Sequence, residues 1–111
     1  MYEDVITLIG LTAPSQETET QIRTIISLTV SRLRNLLMLS SEAGIPSELE
    51  YIVTEVSVRR YNRIGSEGLA SHSVEGETMT WPDDDFKPYA DDIQKYLERQ
   101  EDATTGRVRF L

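Results

Sequence analysis

The side chains in this sequence that could do chemistry are few and scattered. The single histidine, His72, stands in a stretch rich in glycine and serine, with no cysteine in the chain and no second histidine at metal-ligand spacing. It reads as a solvated loop residue, against the sharper alternatives of metal ligation or acid–base work near neutral pH. Three consecutive carboxylates, Asp83, Asp84 and Asp85, offer the oxygen ligands that a hard cation takes. They lack the spacing of a calcium loop and stand where acids favour the start of a helix, so a structural role is preferred. Gly65-Ser66-Glu67-Gly68 is not followed by Lys-Ser/Thr and does not lead from a strand into a helix, which excludes a phosphate loop. Serines are numerous, but neither a nucleophile elbow nor a Ser-x-x-Lys motif is present. Trp81 and Tyr61 each continue an apolar pattern and read as core residues rather than ligand stackers. The expectation is no catalytic residue, no cofactor and no metal, which leaves scaffolding, adapting or inhibiting.

The elements that position these residues are bounded first by composition. At 111 residues the chain is expected to be one domain over 1–111, with a core covering about 65% of the unfolded surface. Absence of cysteine fits a reducing compartment. No 18-residue apolar run and no basic start followed by an apolar segment are present, so the expectation is a soluble protein made in the cytoplasm, with no membrane span. Nineteen acidic against eleven basic residues give a net charge of -8, which repels nucleic-acid backbones and disfavours conventional DNA binding. Charge is unevenly placed. Eight acids lie between Asp83 and Asp102, whereas Arg107 to Leu111 carry only positive side-chain charge, which marks 102–111 as a possible partner-binding tail.

The central stretch runs from Glu48 to Gly68. Ile45, Leu49, Ile52, Val53 and Val56 fall on one helical stripe, Pro46 suits the first turn, and Gly65 suits the left-handed residue that ends a helix. Tyr51, Val58 and Tyr61 project roughly opposite that stripe at about 100° per residue. A helix apolar on two faces requires two partners: the rest of its own domain, and either more of its own chain or another subunit. Glu55 and Arg59 pair at i, i+4, and Arg59, Arg60 and Arg63 place positive charge where the helix dipole favours it.

Before this helix, Tyr2, Val5, Ile6 and Ile9 mark a short first helix stopped by Gly10. Ser15 as N-cap, or Thr18 with Gln21 as a capping box, opens a second helix running to about Leu39 on Ile22, Ile25, Ile26, Thr29, Leu33, Leu36 and Leu37. A short turn from Ser40 to Gly44 makes the second and central helices antiparallel neighbours. After Gly65, Ser66 to Gly76 reads as a loop, and Glu77 to Trp81 alternates as a strand would. A fourth helix extends from about Phe86 or Pro88 to Gln100, and Arg107 to Leu111 alternates basic and apolar residues as the strand's only mate. The fold class expected is mainly α: a small bundle of three to four helices with a short β-strand pair or hairpin near the C-terminus.

The run Glu48 to Leu69, with Arg60-Tyr61-Asn62-Arg63 at its heart, then Ser71, Ser73-Val74-Glu75-Gly76 and the terminal Arg-Val-Arg-Phe-Leu, resembles the small head–tail connector or adaptor proteins of tailed bacteriophages. The resemblance spans most of the chain, with departures between Trp81 and Tyr89 and an added segment from Glu101 to Gly106. It implies a mostly helical virion protein of the head–tail junction, made in the host bacterium, that assembles as a ring, dodecameric in the family. Such a ring lies under the portal protein and presents a surface to a tail completion or stopper protein. The resemblance gives Tyr51, Val58 and Tyr61 a use as a subunit interface and Arg107, Val108, Arg109, Phe110 and Leu111 a use as a contact to the portal or a neighbouring subunit. Genomic DNA would pass through without specific binding, and an acidic channel wall suits that passage. Glu75, Glu77, Asp91 and Asp92 are the channel-facing acids expected. The alternative is an acidic inhibitor or DNA mimic binding a basic nucleic-acid-binding protein, motivated by the acids from Asp83 to Asp102.

Overall fold

A computed structural model describes the backbone of residues 1–67 and 83–109, and side chains over 1–64 and 85–101. Helix α1 spans Tyr2–Ile9, with Glu3 and Asp4 in its first turn, and α2 spans Gln16–Leu36. Both end on the same backbone device. After α1, Gly10 adopts φ 93°, and the Leu11 N–H reaches back to the Ile6 carbonyl at 3.0 Å. After α2, Met38 adopts φ 61°, its N–H bonds the Asn35 carbonyl, and the Leu39 N–H bonds the Arg34 carbonyl, both at 3.0 Å. These are Schellman closures, which satisfy carbonyls left over at a helix end. Met38 fills a position that glycine normally takes, and it closes α2 three residues before Leu39, where the apolar pattern alone would carry the helix.

Ser15 is the N-cap of α2, its Oγ accepting from the Thr18 N–H at 3.2 Å, which decides between the two starts the sequence offers. A 3₁₀ turn over Ser47–Leu49 leads into α3, Glu50–Glu67. Thr29 of α2 meets Arg60 of α3, while the connection joins the end of α2 to the start of α3, so the two helices run antiparallel as expected. Arg34 ties this connection down by donating from Nε to the Ala43 carbonyl at 2.7 Å.

Gly65 does not stop α3. The helix passes through it to Glu67. A glycine inside a helix costs only about 1 kcal/mol relative to alanine, and tertiary anchoring overrides that where the flanking turn is held. Here Ile64 is buried and Arg63 is ion-paired.

The chain resumes in a 3₁₀ turn over Asp83–Tyr89, and α4 follows over Ala90–Arg109. Among the described residues there is no strand. Glu77 to Trp81 lie outside them, as do Phe110 and Leu111, and Arg107 to Arg109 are the last residues of α4 rather than half of a hairpin. Each added helical residue gains its own backbone hydrogen bond, whereas a short alternating stretch is stable as a strand only beside a mate.

The core lies where α2, α3 and α4 converge. Leu33, Leu37, Leu49, Ile52, Val53, Val56, Phe86, Ile93 and Tyr96 form one buried cluster. Helix α1 closes the other side of α3 through Val5, which is fully buried, and Tyr2 lies 4.0 Å beneath the Arg23 guanidinium of α2. Leu28 of α2 is exposed.

Candidate functional site

Three arginines on adjoining positions of α3 converge on one stretch of chain. Arg60 Nε donates to Asp85 Oδ2 at 2.8 Å, and Arg63 donates to Asp85 Oδ1 at 2.6 Å. Arg59 donates to the Asp85 carbonyl at 2.9 Å and to the Tyr89 hydroxyl at 3.0 Å, and that hydroxyl donates to Glu55 at 2.8 Å. Arg60 also reaches the Thr29 hydroxyl at 3.3 Å, and its guanidinium lies 5.4 Å from the centre of the Phe86 ring. The cluster therefore couples α2, α3 and the turn before α4. Burial by itself pushes the Asp85 carboxyl up, but hydrogen bonds and charge from Arg63 and Arg60 outweigh it, so Asp85 titrates below the usual carboxylate range. Burial and the bond to Glu55 push the Tyr89 hydroxyl up, against the opposing pull of Arg59. Such an arrangement holds charges and presents no reactive group. Ser57 Oγ, fully buried nearby on α3, has no hydrogen-bond partner among the described residues.

On its other side α3 remains partly open. Tyr51 is exposed, packs edge-on to Tyr89 at 5.8 Å and donates its hydroxyl proton to Asp92; Val58 and Tyr61 are half-buried. Beside Tyr51, a groove of about 480 Å³ runs between α1 and α3, bordered by Met1, Leu8, Asp4, Glu50 and Glu55. A second groove of about 460 Å³ lies between the end of α2 and α4, with the exposed Met38 at its lip. Among the described residues no group of three acids or histidines comes together as a metal site, and no helix is long and apolar enough to cross a membrane.

The residues expected from sequence to act on partners fall as follows. Asp91 and Asp92 are exposed in the first turn of α4. Glu75, Glu77 and His72 lie outside the described residues, and so do the side chains of Arg107, Val108 and Arg109. Asp85, expected only to favour a helix start, is instead the buried partner of two arginines.

The sequence matches the family model for Phage gp6-like head-tail connector protein over residues 2–96. The chain belongs to that family. No curated protein and no solved structure matches it. The connector family is one of structural phage virion proteins, and membership implies association with other phage head and tail proteins.

In this connector-family chain the Arg60-Tyr61-Asn62-Arg63 motif does its structural work inside the subunit, because Arg60 and Arg63 grip Asp85. The matched region takes in α1 to α3, the arginine cluster and the first part of α4, and it ends before the basic segment from Arg107 onward. Sequence reading missed the cluster. A signal was present: three arginines within five positions exceed what a helix end requires, and three aspartates follow about twenty residues later.

Proposed function

We propose that this chain forms a homo-oligomeric ring, dodecameric as the family implies, between the portal protein and the tail. The ring lengthens the DNA channel and docks the next tail component, a completion or stopper protein. The family match over residues 2–96 carries this reading. In a ring the same two surfaces of every subunit meet head to tail, so each subunit needs two complementary patches. Tyr51, Val58 and Tyr61 supply one, on the side of α3 that its own chain leaves partly open. Arg107 to Leu111 supply a contact to the portal or to a neighbouring subunit. Glu75, Glu77, Asp91 and Asp92 face the channel, where a negative wall keeps DNA moving without specific binding.

The inhibitor alternative draws on the acids from Asp83 to Asp102. Two of them are occupied within the subunit, Asp85 by Arg60 and Arg63 and Asp92 by Tyr51, which weakens the case for a DNA-mimicking face. Electron microscopy of the chain mixed with its portal tests the proposal. A ring seated on the portal is expected for the native chain, and Val58→Glu should abolish it while leaving the circular-dichroism spectrum unchanged. A native chain that never associates with portal overturns the reading.

A further inference from the structure

Three of the five large apolar side chains exposed among the described residues, Met1, Leu8 and Tyr51, border one groove, the one between α1 and α3. Leu8 is 61% exposed, so this grease is open to solvent rather than covered by its own chain. Among the described residues the charged side chains along the same groove are Asp4, Glu50 and Glu55, all acidic. An apolar trough edged by carboxylates is complementary to a segment that combines cationic and apolar side chains. This chain carries such a segment, Arg107-Val108-Arg109-Phe110-Leu111, which begins in the last turn of α4.

The helix that carries the segment leads past the groove of its own subunit rather than into it. Asp92, near the start of α4, bonds Tyr51 at the edge of the groove, and Arg99, two turns on, bonds Glu48 ahead of α3. Helix α4 therefore passes the Ser47 end of the groove and continues beyond Arg99. From Arg99 to Arg109 it covers about 15 Å at 1.5 Å per residue. The two residues beyond Arg109 span at most about 7 Å when extended.

We infer that the groove between α1 and α3 receives the Arg107–Leu111 segment of a second copy of the chain. The inference rests on the ring reading and deepens it: α4 acts as an arm that delivers one subunit's basic, apolar end to the acidic trough of the next. Phe110 and Leu111 meet Leu8 and Met1, and Arg107 and Arg109 meet Asp4 and Glu50.

The chain has no cysteine, which allows a direct test. Two full-length variants, Leu8→Cys and Phe110→Cys, are mixed under mild oxidation at concentrations where the native chain assembles, alone or on portal. A mixed disulfide between the two chains is the expected product. Asp4→Lys with Glu50→Lys in the Leu8→Cys chain should reduce its yield about tenfold. Arg107→Glu with Arg109→Glu in the Phe110→Cys chain should restore it. Raised salt should lower the yield for the native charges. Met38→Cys serves as the competing site: preferential linkage of Phe110→Cys to Met38→Cys overturns the inference in favour of the groove beside α2. Native rings seen by microscopy without any Leu8–Phe110 linkage overturn this contact and leave the ring intact. Absence of both rings and linkage on portal overturns the ring as well.

Discussion

Arg60 and Asp85 meet at 2.8 Å with only 3% and 4% of their side chains exposed, and this pair joins the middle of α3 to the start of the last packed segment. A buried ion pair is weak evidence of net stabilisation, but breaking one half of it is costly because the other charge stays buried. Asp85→Asn should therefore lower unfolding stability by about 3–5 kcal/mol. Replacing both partners together, Arg60→Met with Asp85→Leu, should recover most of that loss. Urea unfolding followed by circular dichroism measures both, and equal losses in the single and double variants would refute the account.

Arg63 shares the same carboxylate but keeps 30% of its side chain exposed. Solvent screens its contribution, and Arg63→Ala should cost about 1 kcal/mol, well under the cost of losing Arg60. The comparison of the two variants is the measurement.

Acid should weaken the fold through Asp85. Its carboxyl titrates lower in the folded chain than in the unfolded one, so the stabilisation is present above the unfolded value of about 3.9 and is lost as pH falls through the lower folded value. Thermal melts from neutral pH downward should show the decline steepen below about pH 4, and Asp85→Asn should flatten that part of the profile.

How much of this was legible in the sequence depends on the distance over which each residue acts. Gly10 and Ser15 act on their own turns, and both took the roles their types suggest: a left-handed stop and an N-cap. The burial of Leu49, Ile52, Val53 and Val56 was readable from spacing, whereas Ile45 is buried from the non-helical connection ahead of Pro46 and the Ser47–Leu49 turn rather than from the helix. Gly65 also had a suitable local type, but Arg63 and Ile64 are held from outside the helix, and their anchoring carried α3 past it. Asp85 could be placed only by knowing what comes near it, since its partners are 22 and 25 residues away. Met38 gave no local warning either, because its backbone conformation is imposed by the closure after α2 rather than favoured by its side chain. The alternation of Arg107 to Leu111 was a true pattern with the wrong conformational meaning over Arg107 to Arg109, which belong to α4.

Met38 offers a gain in stability. It adopts φ 61° with 83% of its surface exposed, so it bears a left-handed backbone and contributes little packing. Met38→Gly should raise stability by about 0.5–1 kcal/mol, the relief of strain exceeding glycine's greater freedom when unfolded. A melting temperature that falls would contradict this.

Ser57 offers another. Its hydroxyl is fully buried without a partner among the described residues, and an unsatisfied polar group is penalised on folding. Ser57→Ala should be neutral or stabilising by about 1 kcal/mol, read from the same unfolding curves. A clear loss would mean that the hydroxyl is satisfied.

Because Arg63 and Asp85 clamp together, two points of the chain 22 residues apart are bolted side by side. Doubling the number of residues between two points fixed in this way costs only about 0.6 kcal/mol in closure entropy, so the clamp itself should survive a longer connection between its halves.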